Sequence, residues 1–336
     1  MKQVRRLAKE TSTTSSDNNV DVIYQNNEVV FFLRTLHKSE RLNAPMNWCH
    51  QNNVTEKSNS SQIIHKVQQC FEAIAISDSA RKAIAATLRL IRDAFRNESV
   101  PLVMTYGSLL GSLRYHARMP FDCDYDMAVP FSKWAHVRRI FLRLASEPAN
   151  QMRMIDFRAV TGCMQIGIAC GRNESWRDPT SWGSFNGTMT FQDGVPVGHG
   201  WLPYKTLMGA CMSYMDIYPK ADNDPHLLAL SDGVTSYRPI EGTLFRTLTT
   251  PIRFLENTYD SSLNVCVPKY SYLHKGSFHH LPQDCTGMRV PCSWLDSTYP
   301  RVYAFSAPDN DFTYEVGLES YQNRSCWIHS IYYYRK

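Results

Sequence analysis

Residues 106–129 read Tyr-Gly-Ser-Leu-Leu-Gly-Ser-Leu-Arg-Tyr-His-Ala-Arg-Met-Pro-Phe-Asp-Cys-Asp-Tyr-Asp-Met-Ala-Val, a Gly-Ser turn fifteen residues ahead of an Asp-x-Asp-x-Asp run. On an extended strand, alternate side chains share a face, so Asp124 and Asp126 project together about 7 Å apart along the chain while Tyr125 and Met127 enter the core. Two carboxylates at contact distance repel by on the order of 1 to 4 kcal/mol, and one pKa rises unless a cation sits between them. The pattern fits metal-dependent phosphoryl transfer. Gly107 would allow a tight strand-to-helix turn, and the amides after it, with the Ser108 hydroxyl, would hold a phosphate at a helix N-terminus. Asp124 and Asp126 would hold Mg²⁺ or Mn²⁺, which suits a nucleotide diphosphate substrate.

An Asp-x-Asp pair alone is weak, since nineteen aspartates give about one by chance, and Asp222/Asp224 and Asp309/Asp311 are two more, both around Asn in turn-like sequence. The triple Asp122, Asp124, Asp126, set in an apolar strand behind a Gly-Ser turn, is far rarer. A third carboxylate from a neighbouring strand completes such a site. Asp216, in Met212-Ser-Tyr-Met-Asp-Ile-Tyr-Pro219, is the best candidate, because a charge inside an apolar strand is costly without a metal or a proton to take.

The elements that must position these residues follow from periodicity. Ile84, Leu88, Ile91 and Phe95 repeat at helical spacing behind Ser77 or Asp78 as N-cap, and the helix's basic face reads as solvated surface. Strands are expected over 100–106, 124–129, 152–160, 164–169 and 212–218. Helices are expected over 108–115 and from Ser132, with Trp134, Val137, Phe141 and Leu144 on one stripe. Residues 171–205 are Gly/Trp/Asn-rich without clear periodicity and read as a binding loop. In it Trp176, Trp182 and Trp201 could stack on an acceptor sugar or pack in the core. Residues 1–65 are polar and read as a stem or arm, and residues 261–336, which contain Cys266, Cys285, Cys292 and Cys326 and close on Tyr332, Tyr333 and Tyr334, as a β-rich extension.

At 336 residues the chain can bury a sizeable core, and a net charge of +5 is too small and dispersed to argue for nucleic acid, despite Lys2, Arg5, Arg6 and Lys9. Ten cysteines, an even count, fit an oxidising compartment. Asn53, Asn59, Asn97, Asn173, Asn186 and Asn323 each open an Asn-x-Ser/Thr sequon, against roughly two or three by chance. The expected location is the secretory pathway, Golgi or ER lumen, with the cytoplasm as the alternative. The longest early apolar run, residues 29–33, is too short for a signal or a span, so membrane association would need an N-terminal anchor missing from this sequence.

The stretch Gly107-Ser-Leu-Leu-Gly-Ser-Leu-Arg114, then Met119-Pro-Phe-Asp-Cys-Asp-Tyr-Asp126, resembles the motif of the LicD/fukutin family, Gly-Ser/Thr-Leu-Leu-Gly-x-x-Arg followed by Ile-Pro-Trp-Asp-x-Asp-x-Asp. Met215-Asp-Ile-Tyr-Pro219 is similar to that family's later Ile-Asp-Ile-Phe-Pro, and residues 251–259 weakly resemble its closing segment, with Asp260 where Gly is usual. The resemblance spans roughly residues 85–260. It implies an α+β, nucleotidyltransferase-like mixed sheet flanked by helices, with residues 66–260 as the catalytic domain. It also implies transfer of a phospho-alcohol, such as phosphoribitol or phosphocholine, from a CDP-linked donor to a hydroxyl of a glycan or glycoprotein, with no nucleic acid. By the same resemblance Asp124 and Asp126 bind metal, Asp216 is a further ligand or base, Asp122, Gly107 and Ser108 belong to the donor site, and Arg114 steadies phosphate.

Departures from the motif are Phe121 for Trp, Cys123 for Asp, His116 for Lys and Arg118 for an apolar residue. His116 and Arg118 are expected to add positive charge near the donor. Two rivals remain at this level: a catalytically inactive glycan-binding or assembly protein of the same fold, which the intact carboxylates oppose, and a template-independent nucleotidyltransferase acting on RNA. His279, His280, Cys285 and Cys292 match no strong zinc spacing and read as disulfides and surface histidines. Cys123 reads as a buried thiol, since neighbouring anions disfavour a thiolate.

Overall fold

In the computed structural model, the described residues fall within 20–34, 67–156, 162–170, 188–199, 211–259, 263–306, 312–320 and 326–335. Two strands lie inside the segment read as a polar arm: β1 (Val20–Gln25) and β2 (Glu28–Arg34), joined by two residues and paired antiparallel. Their sequences, VDVIYQ and EVVFFLR, carry the β-branched and aromatic residues that favour strands, so the polar surroundings hid a hairpin.

The folded core starts at Ser77, whose Oγ accepts from the Ala80 N–H at 3.2 Å and caps α1 (Asp78–Asn97). Ile84, Leu88, Ile91 and Phe95 form the buried stripe, each worth roughly 1.5 to 3 kcal/mol on removal from water. After Val100 only β3 (Val103–Met104) is strand, and α2 (Tyr106–Tyr115) begins two residues later, earlier than the sequence pattern indicates. β4 (Asp124–Pro130) leads through a single 3-10 turn into α3 (Trp134–Ser146), which buries Trp134, Val137, Ile140, Phe141 and Leu144. Phe95 and Phe141 meet with ring centroids 5.1 Å apart, and Glu98 at the end of α1 pairs with His136 and Arg143 of α3.

β5 (Arg153–Asp156) and β6 (Met164–Cys170) follow as expected. Inside 171–205, expected to be irregular, β7 (Thr188–Gln192) and β8 (Val195–His199) form a hairpin. The two residues between them in sequence are Asp193-Gly194, the composition that favours a two-residue hairpin turn, and that signal identifies the pair. β9 (Cys211–Lys220), β10 (Ser236–Ile240) and β11 (Thr243–Thr247) complete a nine-stranded mixed sheet in the order β10-β11-β3-β4-β9-β6-β5-β8-β7, and α4 (Pro251–Tyr259) follows. The α+β architecture inferred from the resemblance is the one observed. β4 runs antiparallel to β3 and parallel to β9, which sets Asp126 beside Asp216. Tyr125, Met127, Met154, Ile166, Met215 and Ile217 take the opposite face and are buried.

The C-terminal segment is β-rich. β12 (Val265–Cys266) pairs with β15 (Val290–Pro291), and β13 (Ser271–Leu273) with β14 (Ser277–His279). β16 (Tyr303–Ser306), β17 (Phe312–Ser320) and β18 (Cys326–Arg335) join the N-terminal hairpin in a second sheet, order β1-β2-β18-β17-β16. Disulfides link Cys70 to Cys285, Cys170 to Cys211 and Cys266 to Cys292. Cys285 and Cys292 are thereby withdrawn from any zinc site. Among the described residues no helix is long and apolar enough to cross a membrane.

Candidate metal centre

The parallel register of β4 and β9 brings Asp124, Asp126 and Asp216 together: one carboxylate oxygen from each lies within 4.8 Å of the others. Asp126 is fixed from three sides at the start of α2. The Gly107 N–H donates to its Oδ2 at 2.8 Å, its own N–H donates to Ser108 Oγ at 2.6 Å, and its carbonyl accepts from the Thr105 N–H at 3.0 Å. Gln165, the register partner of Asp216 on β6, lowers the Asp216 pKa against the stronger upward push of burial. Tyr218 Oη, two residues along β9, reaches Asp126 Oδ1 and Asp216 Oδ2, both at 3.4 Å.

Among the described residues, Asp216 Oδ1 is buried with no hydrogen-bond partner. A bare buried carboxylate oxygen costs free energy, which a bound cation would offset. The electrostatics agree. Burial, then the Asp126 charge, push Asp216 up to about 7. Asp124 is raised well above the ordinary carboxylate range by burial, then by Asp122 and Asp126. An all-carboxylate set with one unsatisfied oxygen fits a hard divalent cation, and the three aspartates could hold one.

The other expected site residues are placed as follows. Asp122 is buried beside the triad, close enough to raise Asp124, but outside the group of three. Gly107 and Ser108, expected at a phosphate, direct their polar groups to Asp126 and so hold the ligand-bearing strand. The tight turn assigned to Gly107 falls instead on Tyr106, whose φ of +43° lies in the left-handed region. Gly111 answers a different demand: a Cβ there would stand 2.6 Å from the Ala117 carbonyl, so the return loop crosses α2 only over glycine.

Arg114, expected at phosphate, sits about 10 Å further along α2. Its Nε and Nη2 donate to the Leu263 carbonyl at 2.9 and 2.6 Å, and Nη2 also to the Val265 carbonyl at 2.9 Å, which ties the helix to the C-terminal segment. His116 and Arg118 do not add charge at the donor side. His116 is fully buried, with Nε2 2.9 Å from Glu315 Oε2, and burial pushes it down to about 4, so the ring is neutral near pH 7. Arg118 Nη1 donates to Ser213 Oγ at 3.0 Å, and its guanidinium lies 5.8 Å from the Tyr125 ring centroid. Ser213 and Tyr125 occupy the sheet face opposite the carboxylates, by alternation along β9 and β4.

Cys123, Trp176, Trp182, Trp201 and His280 lie outside the described residues. Sequence reasoning missed Tyr218 and Gln165. Tyr218 was legible as the same-face neighbour of Asp216 two residues on, whereas Gln165 needed the pairing register. None of the curated proteins matches the chain. Residues 99–167 match the family model LicD/FKTN/FKRP, nucleotidyltransferase domain, over the segment that holds Gly107, Asp124, Asp126 and Gln165. The resemblance carried by the Gly-Ser turn and the aspartate run is therefore borne out over this segment, which is similar to the nucleotidyltransferase domain of the LicD/fukutin family.

Proposed function

We propose that the chain is a metal-dependent transferase that moves a phospho-alcohol from a CDP-linked donor to a glycan hydroxyl. The observation that carries this reading is the buried, partnerless Oδ1 of Asp216 beside Asp124 and Asp126. Those three aspartates would hold Mg²⁺ or Mn²⁺, which when bound polarises a phosphoryl oxygen and offsets charge in the transition state. The chain's own contribution is positional and electrostatic. Gly107 and Ser108 fix Asp126. Tyr218, whose pKa is raised by burial, stays a protonated donor between Asp126 and Asp216. Asp216 serves in this reading as a metal ligand beside Asp124 and Asp126 or, where the metal leaves it free, as the base that takes the proton of an acceptor hydroxyl.

Three disulfides among the described residues and six sequons support a secretory-lumen location, Golgi or ER. Asn97, which opens one of these sequons, is exposed at the end of α1.

The test is calorimetry of CDP-ribitol, CDP-choline, CDP-glycerol and CTP with and without Mn²⁺, on the wild type and on Asp124→Ala/Asp126→Ala. The reading expects Mn²⁺-dependent binding of a CDP-alcohol, weakened by more than about 100-fold in the double variant. A folded wild type that binds none of them would favour an inactive glycan-binding protein.

A further inference from the structure

Next to the three carboxylates the site has a second wall, built of aromatic rings and one cation. The Tyr218 ring stands edge-on to Tyr106 with centroids 5.4 Å apart, and Tyr106 stands 5.5 Å from Phe254 of α4. All three rings are half-buried, whereas Asp126 and Asp216 are buried. Lys220 shares the face of β9 that carries Asp216 and Tyr218, through the two-residue repeat of the strand. Its Nζ donates to the Tyr106 hydroxyl at 2.6 Å and lies 5.1 Å from that ring's centroid.

A corner of aromatic rings attracts a quaternary ammonium through the negative ring faces. At this corner Lys220 already sets an ammonium at the hydroxyl end of the Tyr106 ring. A second cation would meet like charge beside a half-buried ammonium, where screening is reduced. A hydroxyl oxygen, by contrast, would accept a hydrogen bond from Nζ.

Resting on the phospho-alcohol reading above, we propose that Lys220 is a specificity-determining residue: it bars a quaternary-ammonium alcohol from the aromatic corner and admits a neutral polyol. The corner lies beside the metal centre, because the Tyr218 hydroxyl touches both Asp126 and Asp216. An alcohol linked to a diphosphate seated on those carboxylates is thus within reach of Lys220.

The experiment is calorimetry of CDP, CDP-glycerol and CDP-choline on the full chain in Mn²⁺, with the wild type, Lys220→Met and Lys220→Arg. The wild type should bind CDP-glycerol at least about tenfold more tightly than CDP-choline. Lys220→Met should narrow or reverse that ratio with CDP affinity unchanged, and Lys220→Arg should keep it. A wild type that prefers CDP-choline overturns the proposal, as does an unchanged ratio in Lys220→Met. Equal losses for all three ligands in Lys220→Met also overturn it, by assigning Lys220 to the nucleotide. A wild type that binds none of CDP-glycerol, CDP-choline, CDP-ribitol and CTP overturns the transferase reading beneath it, a result distinct from any change in ratio.

Discussion

At the first turn of α2, Asp124, Asp126 and Asp216 crowd together with one buried oxygen unsatisfied. Past the last turn of the same helix the buried charges are matched. His116 meets Glu315 at 2.9 Å, Glu315 takes Arg238 through both oxygens at 3.0 and 2.9 Å, and Arg114 caps the carbonyls of Leu263 and Val265. Arg238 also reaches back to the Ser112 carbonyl at 3.4 Å, and the Val302 N–H donates to the Arg114 carbonyl at 2.6 Å. One end of the helix is thus fastened to the C-terminal segment, while at the other three carboxylates crowd together and, among the described residues, one oxygen of Asp216 has no partner. On the proposed function, folding stability resides at the fastened end and ligand affinity at the other.

The contrast gives substitutions of opposite sign. Glu315→Ala leaves the half-buried Arg238 without its anion and the buried His116 without its hydrogen-bond partner, and should cost about 3 kcal/mol, read as a lower urea midpoint. A midpoint within experimental error of the wild type would dissolve the comparison at its fastened end.

Acidification separates the ends as well. His116 is held down at about 4, below its ordinary 6.5, so its contribution is present above pH 6.5 and lost as pH falls toward 4. Glu315 is held down at about 2, below 4.5, and its contribution is lost as pH falls through that lower window; the net downward direction comes from His116 and Arg238, which outweigh burial. Asp216 runs the other way in metal-free protein. Raised to about 7 from 3.8, it adds stability as pH falls from 7 to 4. Between pH 7.5 and 5 the metal-free Asp216→Asn variant should therefore lose more stability than the wild type. Equal losses by urea unfolding at the two pH values would contradict the assigned direction.

A smaller effect sharpens the role of the surrounding scaffold. Ser77→Ala removes the cap of α1, remote from both ends of α2, and should cost about 1 kcal/mol without altering Mn²⁺ affinity. A change in Mn²⁺ affinity would show that the centre is less insulated than its hydrogen bonds to Gly107 and Ser108 indicate.

What the sequence made legible was local. The stripe of Ile84, Leu88, Ile91 and Phe95, the Ser77 cap and the same-face placement of Asp124 and Asp126 all follow from short-range periodicity. Asp216 was found because a lone charge in an apolar strand is conspicuous. Residues whose partners lie far along the chain were misplaced. Arg114 meets a carbonyl 149 positions away and His116 a carboxylate 199 positions away, and nothing in their immediate neighbourhood encodes either partner. The hairpin of β7 and β8 was missed for another reason: its Asp-Gly signal stood inside a stretch whose composition reads as loop.

The most direct measurement is a set of thermal melts at pH 8, where Asp216 is ionised, of the wild type and Asp216→Asn with and without Mn²⁺. The account predicts that Asp216→Asn melts above the metal-free wild type, because one of the crowded charges is gone. It also predicts that Mn²⁺, at about 100 times its Kd, stabilises the wild type by about 2.7 kcal/mol and leaves the variant nearly unmoved. A variant that melts below the metal-free wild type and still gains the full Mn²⁺ shift would contradict the assignment of Asp216 to an unsatisfied metal centre.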